Sequence, residues 1–436
     1  MASHGRRRAD HRADRRRKTV IPTGHGHGHG HGHGHGDHVV DTSVVDSDAI
    51  VARRVRIVVA AVLIPLIAAA LVAMVVMWPG GDLKVPSYQT NTARGEVTAL
   101  KPCPAHPKDC QQATVRLSTG ADKGQSAPVE VPTGVTLPVK VGQPVMLAVE
   151  ANTKTIAERY QYVDHDRTKP LLLLTALFAV AVVALSRWRG FAALIALAVT
   201  AVMLTQFILP AILKGSNPLL VAVVGGSVIM AIALFLTHGI NAESSIALSG
   251  TVAALGLTVV LGWIFTKLCQ LSGMAVDSAT AVKQFAPDVS LTGLLVAGMV
   301  IGALGVLDDV TVTQAAAVWE LSAANPAANR RELFGAGLRI GRTHVASVVN
   351  TLVLAYAGAA MPVLITFAIQ GLPARYVVST EMVAMEVVRG LVGSLGIIAA
   401  VPLTTALAAM AVADRSRDLV ATEPEHLPHS GQATYQ

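Results

Sequence analysis

The chain has 436 residues, 52% hydrophobic and 14% charged, with a mean hydropathy of +0.52; a soluble domain holds about 45–50% apolar and about 25% charged residues. A wholly water-soluble globular protein is thereby excluded, and lipid is the main solvent to expect. The formal net charge of +7 is carried almost entirely by the first 18 residues, where Arg6, Arg7, Arg8, Arg12, Arg15, Arg16, Arg17 and Lys18 stand against Asp10 and Asp14. That arm has no aromatic residue on which a base could stack and lies ahead of an apolar run, so it reads as a topology signal and a contact for anionic lipid, with no nucleic-acid partner.

Residues 1–49 lack an apolar period and are rich in Arg, Gly, His and Asp, a composition that buries too little surface to offset the entropy of ordering and predicts a disordered cytoplasmic tail. Within it His25, His27, His29, His31, His33 and His35 alternate with glycine. Imidazoles suit borderline cations such as Ni²⁺ or Zn²⁺, so weak metal binding is one reading; glycine between every pair leaves the geometry unfixed, and a low-complexity repeat without a ligand is the other. No other cofactor is expected.

Residues 50–81 form the first membrane segment, with an apolar span from Ile57 to Trp78 preceded by Arg53, Arg54 and Arg56. It exceeds a signal-peptide core and is followed by no small-x-small cleavage site, so it reads as a retained anchor. Between residues 82 and 169 the composition changes to short alternating runs, Gly95 to Leu100, Ala113 to Leu117, Val129 to Val131 and Val145 to Val149. These predict a small β-barrel or sandwich outside the cytoplasm. Cys103 and Cys110 both fall in it, where an oxidising compartment allows them to pair; two free thiols are the alternative.

From Pro170 to Ala413 the chain is almost continuously apolar. Breaks divide it into spans near Leu171 to Leu185, Phe191 to Leu213, Leu219 to Leu236, Ser244 to Phe265, Leu291 to Leu307, Val345 to Ile369 and Gly390 to Ala413. With the anchor this predicts a polytopic α-helical membrane protein of about eight transmembrane helices, with the β-rich domain between the first and second. An even count leaves both termini, including a disordered tail over 414–436, in the cytoplasm. Arg187, Arg189, Arg330, Arg331, Arg339, Arg342, Arg415 and Arg417 then fall on the inner side, against Lys214, Lys267, Lys283 and Arg375 outside, as the positive-inside rule requires.

Charged and polar residues in these spans are the informative positions, because a carboxylate at the centre of a bilayer costs about 2.5–3.5 kcal/mol on insertion scales. Asp308 and Asp309 follow Gly298 and Gly302 in a stretch, Leu291 to Leu321, too long for one untilted span, so the pair lies either at the inner surface or inside the membrane. Thr311, Thr313 and Gln314 extend a polar edge, and on a helix Asp309, Thr313 and Glu320 share a face. Asp309, Asp308, Glu320 and Thr313 are therefore candidate ion-coupling residues, with solvated helix-end carboxylates as the bland alternative. Glu386 and Arg389, near Glu381, can pair at i,i+3 and partner Asp309, or serve helix packing with Gly390, Gly393 and Gly396. Arg342, Asn350, Thr351 and Tyr356 give the preceding span a polar side.

There is no HExxH zinc pattern, GxSxG elbow or Walker loop, so an enzyme is not expected. The two readings are an ion-coupled secondary transporter or export component, and a non-transporting scaffold or sensor whose exported domain binds an envelope protein. Oligomeric state is left open by the residues.

The segments Gly302-Ala303-Leu304-Gly305 with Asp309, Trp319-Glu320-Leu321, Ile340-Gly341-Arg342, Asn350-Thr351-Leu352 with Ala355-Tyr356, Glu386 to Arg389 leading into Leu391-Val392-Gly393-Ser394, and Pro402-Leu403-Thr404 resemble, in order and spacing, the YibE/F-like family of bacterial multi-pass membrane proteins. The resemblance implies an anchor followed by an exported β-rich segment in the cytoplasmic membrane, and carries the family's acidic position onto Asp309. Asp308, and Thr343 where an acidic residue is expected, depart from the pattern. The family implies architecture and no defined activity.

Overall fold

The computed structural model describes residues 42–80, 91–103, 110–133, 137–150, 153, 155–275 and 277–412. The basic arm, the His-Gly tract with His25 to His35, and the expected tail over 414–436 lie outside the described residues. Helix α1, Thr42–Val76, begins earlier than its apolar span, so residues 42–49, expected in the tail, continue the anchor helix.

Five strands follow: β1 Asn91–Pro102, β2 Cys110–Leu117, β3 Ser126–Pro132, β4 Pro144–Val149 and β5 Tyr160–His165, the last preceded by the single turn α2, Ile156–Arg159. They form one antiparallel sheet in the order β3-β2-β1-β4-β5. The first half of β1 pairs with β4 and the second with β2. At the change of partner stands Gly95, where a Cβ would strike Val115 and come within 2.8 Å of the Arg116 carbonyl oxygen; only glycine fits so close an approach. The sheet curls until β3 and β5 approach each other without pairing, giving a partly open barrel with the strand order of an OB fold. Its core is the inward set of each alternation, Ala93, Val97, Ala113, Val115, Leu117, Ala127, Val129, Val131, Val145, Leu147 and Tyr160. Strand β5 escaped the sequence reading because Tyr-Gln-Tyr-Val-Asp-His carries little β-branched content and no flanking turn signal. Cys103 and Cys110 are bonded across the β1–β2 connection, with Cα atoms 5.6 Å apart.

Helix α3, Thr168–Met203, runs through a π-helical turn, Leu204–Ile208, into α4, Leu209–Leu213. The spans expected at Leu171 to Leu185 and Phe191 to Leu213 thus belong to one 46-residue apolar segment. Among the described residues seven helices are long and apolar enough to cross a membrane, where the sequence predicts about eight. The difference lies at Arg187, whose φ of 52° and ψ of −125° break the helix. A Cβ on Gly190 would lie 2.5 Å from the Val182 carbonyl oxygen, whereas eight residues of straight helix separate two atoms by about 12 Å. The chain doubles back there.

The remaining helices are α5 Pro218–His238, α6 Ala242–Leu268, α7 Asp277–Phe285, α8 Leu291–Ala324, α9 Arg330–Ile369, α10 Ala374–Ser379 and α11 Glu381–Val412. In lipid the backbone must satisfy its own hydrogen bonds, so each apolar run folds as a helix, and caps mark the ends: Asn217, Asn241, Ser290 and Asn329 each accept from backbone N–H groups of the first turn. At the centre α6, α8 and α11 pack together. Helices α6 and α11 run antiparallel in one unbroken register, Gly250 against Thr404, Thr258 against Gly396 and Gly262 against Val392, so that small residues bring the backbones close.

Candidate functional site

Helix α8 carries the acidic pair. It meets α5 where Gly293 touches Pro218 and where Leu304 touches Gly226, so the two helices run side by side in the same direction. Four or five residues on from Leu304, Asp308 and Asp309 stand level with Met230 and Ala231, about 10 Å short of the His238 end of α5 at about 1.5 Å per residue. Helix α5, with 21 residues, is only just long enough to span about 30 Å of hydrocarbon. The pair therefore stands level with the interior of α5 and not with either of its ends. Helix α6 gives the same level: Thr251 and Thr311 share a 2.6 Å hydrogen bond between hydroxyls, and one turn away Asp308 stands opposite the middle of α6.

Successive residues on a helix point about 100° apart, and this separates the acidic neighbours. The Oδ1 of Asp308 is enclosed and has no hydrogen-bond partner. Asp309 is exposed, on a stripe formed by Gly298, Gly302, Gly305, Asp309, Thr313 and Glu320. Thr313 donates to the Asp309 carbonyl at 2.7 Å. This stripe contains no large apolar residue, whereas the exposed face of α3 is Leu171, Leu172, Leu173, Leu174, Leu177 and Phe178. Of Gly298 and Gly302, only Gly302 meets a neighbour, the Tyr356 hydroxyl at 3.0 Å from an ideal Cβ; Gly298 faces open space.

The polar edge expected to run from Asp309 through Thr311 and Gln314 is divided by the same rotation. Thr311 and Gln314 are buried on the opposite side of α8. Gln314 donates at 2.8 Å to the Gly337 carbonyl of α9 and at 2.8 Å to the Thr405 hydroxyl of α11, tying three helices. Its signal in the sequence is an amide at the end of the polar run Thr311, Thr313, Gln314 inside an apolar helix, which does not say which side of the helix it takes.

Glu386 and Arg389 on α11 are paired, Arg389 Nη1 donating to Oε1 at 3.0 Å and Oε2 at 3.3 Å, with the guanidinium 5.9 Å from the Tyr356 ring centroid. The α6–α11 register places them opposite Phe265 to Leu268, the last turn of α6. They are thus roughly 15–20 Å along the bundle from the acidic pair and are not its partners. Glu381 is engaged separately, accepting from the backbone N–H groups of Ser272 and Gly273 and from the Ser272 hydroxyl. Arg342 and Asn350 are exposed on α9, as is Thr351, which donates to the Ser347 carbonyl at 3.0 Å. No described cation lies within ion-pair distance of Asp308 or Asp309. Among the described residues no cluster of three or more His, Cys, Asp or Glu is placed to hold a metal ion.

Outside the membrane helices the barrel has its own electrostatic clasp. Asp122, in the β2–β3 turn, accepts from Tyr160 at 2.8 Å and Arg159 at 2.9 Å. The Tyr160 hydrogen bond, followed by that from Arg159, holds the Asp122 carboxyl below its ordinary range, while burial and the same bond raise the Tyr160 phenol.

The family model for the YibE/F-like protein matches residues 174–414. No curated protein and no solved structure matches the chain. With α4 through α11, all of α3 but its first turns and the acidic pair within the matched region, which is more than half of the sequence, the chain belongs to the YibE/F-like family of membrane proteins.

Proposed function

We propose that this protein is a carrier and not an enzyme: an ion-coupled secondary transporter or export component of the bacterial cytoplasmic membrane, with Asp309 as the proton- or cation-coupling carboxylate and Asp308 beside it. The observation that carries the reading is two adjacent carboxylates on an apolar helix about 10 Å, along the bundle, from the His238 end of α5, one turned inward and the other on a stripe of Gly, Asp, Thr and Glu; we take this level to be inside the apolar layer. Each costs about 2.5–3.5 kcal/mol there, and a proton or cation bound to the carboxylate removes that cost. Thr313 and Glu320, on the same stripe, extend it toward the end of α8.

The accompanying topology is eight crossings with both termini in the cytoplasm and the β-barrel outside. Its support is the reversal at Arg187, which divides the 46-residue segment into two arms, and the gathering of Arg330, Arg331, Arg339 and Arg342 at one end of α9. A second reading, in which the barrel engages an envelope protein, is favoured by a cleft of about 800 Å³ against the outer face of β2–β3, lined by Gln112, Glu130, Glu150, Glu158 and Tyr162. It is compatible with transport by the helices.

The test is charge movement by the reconstituted full chain on a solid-supported membrane, challenged with a panel of inorganic ions and small organic solutes at fixed and stepped pH. Solute-evoked currents that depend on the pH or cation gradient and vanish in D309N are expected. Currents of wild-type size in D309N would reject the coupling role, and a wild type silent to the whole panel, though folded, would reject transport of those solutes.

A further inference from the structure

Between the second half of α9 and the first half of α11 the surface opens into two adjoining clefts, of about 220 Å³ and about 300 Å³, that share Tyr356, Ala360 and Glu386. The walls of the first are Val353, Ala357, Leu364, Val387 and Leu391, an apolar slot open to the side. At its floor are the Glu386–Arg389 ion pair and the aromatic ring of Tyr356 beside it.

We propose that this groove binds a glycerophospholipid of the ethanolamine type from the surrounding bilayer, one acyl chain lying between α9 and α11, the phosphate on Arg389 and the ammonium on Glu386. Three observations carry it. The first is position: the pair stands opposite the last turn of α6 and midway along the slot, whose apolar walls reach Val353 and Leu391 on one side of it and Leu364 and Val383 on the other, so that a chain lying in the slot passes the two charges. The second is the unfinished hydrogen bonding of Arg389. Its Nη1 is used by Glu386, but its Nε is enclosed and has no acceptor. A guanidinium fork matches two phosphate oxygens, and an enclosed donor without an acceptor is costly enough to favour a ligand that supplies one. The third is charge: Glu386 accepts only two bonds, both from Arg389, of the roughly four a carboxylate can take. The pair therefore complements a zwitterion better than a net anion.

The full chain, stripped of lipid in detergent, is titrated with dioleoylphosphatidylethanolamine and followed by native mass spectrometry. One saturable adduct is expected, with dioleoylglycerol, which lacks the phosphate and the amine, binding at least about tenfold more weakly. R389Q should weaken the phospholipid adduct by a similar factor. V353W fills the slot from an exposed position and leaves the ion pair intact, so it should lose the adduct with an unchanged unfolding midpoint; it also serves if R389Q folds poorly. Equal binding of phospholipid and diacylglycerol, or unchanged binding in V353W, would overturn the proposal. Tighter binding of dioleoylphosphatidylglycerol than of the ethanolamine lipid would overturn the role of Glu386.

Discussion

Trp78, at the end of α1, stacks on Phe207 in the π-helical turn after α3, with ring centroids 5.6 Å apart and planes inclined by 21°. Beside it the Lys214 ammonium donates to the Gly80 carbonyl. The end of the anchor and the end of the 46-residue segment are therefore neighbours. The barrel leads directly into Thr168, the start of that segment; under the proposed topology the segment leaves the barrel side and returns to it.

The first prediction follows from that closure. In a C269S background, R187C and K214C should react with a membrane-impermeant maleimide from opposite sides of oriented vesicles. Labelling of both from one face would mean a single crossing by this segment and an odd total.

A second concerns the α6–α11 seam. A Cβ at position 396 would strike the Thr258 hydroxyl, which itself donates to the Ala254 carbonyl at 2.9 Å. Gly396→Ala should lower stability by about 1–3 kcal/mol, the usual cost of overpacking. Thr258→Ala in the same chain should recover much of it. Thermal unfolding of both single variants and the double variant measures the coupling, and strict additivity would show that the two residues do not share the contact.

Gln314 provides a third. Gln314→Leu keeps most of the volume but leaves the Gly337 carbonyl without its side-chain donor and Thr405 without a partner on α8. Interhelical hydrogen bonds in membranes are worth about 0.6 kcal/mol on average and up to about 1.7, so a loss of roughly 1–2 kcal/mol is expected. Steric trapping or thermal unfolding in detergent would detect it. An unchanged midpoint would demote the amide from a three-helix tie to a space filler.

The barrel should weaken in acid. The Asp122 carboxyl is held below its ordinary value by Tyr160 and then Arg159, and the Asp164 and Asp166 carboxyls are lowered by Arg167 and Thr168 respectively. A carboxyl lowered on folding contributes stability that is present above its unfolded value, about 3.9, and is lost as the pH falls through the lowered folded value. Hydrogen-exchange protection of β5 and the β2–β3 turn should therefore decline below about pH 4. Asp122→Asn should reduce protection at neutral pH and flatten its part of the pH dependence; a parallel decline in the variant would assign the effect elsewhere.

The membrane character, the anchor, four of the five strands, the family and the rows of small residues were legible in the residues themselves. Each rests on composition, periodicity or order along the chain, which a single sequence carries in full. The i,i+3 spacing of Glu386 and Arg389 was legible for the same reason, being local to one turn. Their assignment as partners of Asp309 was not, because distance along a bundle depends on how far antiparallel helices slide past one another, and the Gly250–Thr404 to Gly262–Val392 register decides that. The facing of Asp308, Asp309, Thr311 and Gln314 likewise waited on the packing of α8 against four other helices: residues adjacent in sequence point about 100° apart, and only the neighbours determine which direction is inside. The level of the acidic pair relative to α5 and α6, and the break at Arg187, likewise came only with the structure, since hydropathy measures how long an apolar run is and says nothing of where it is matched or how it bends.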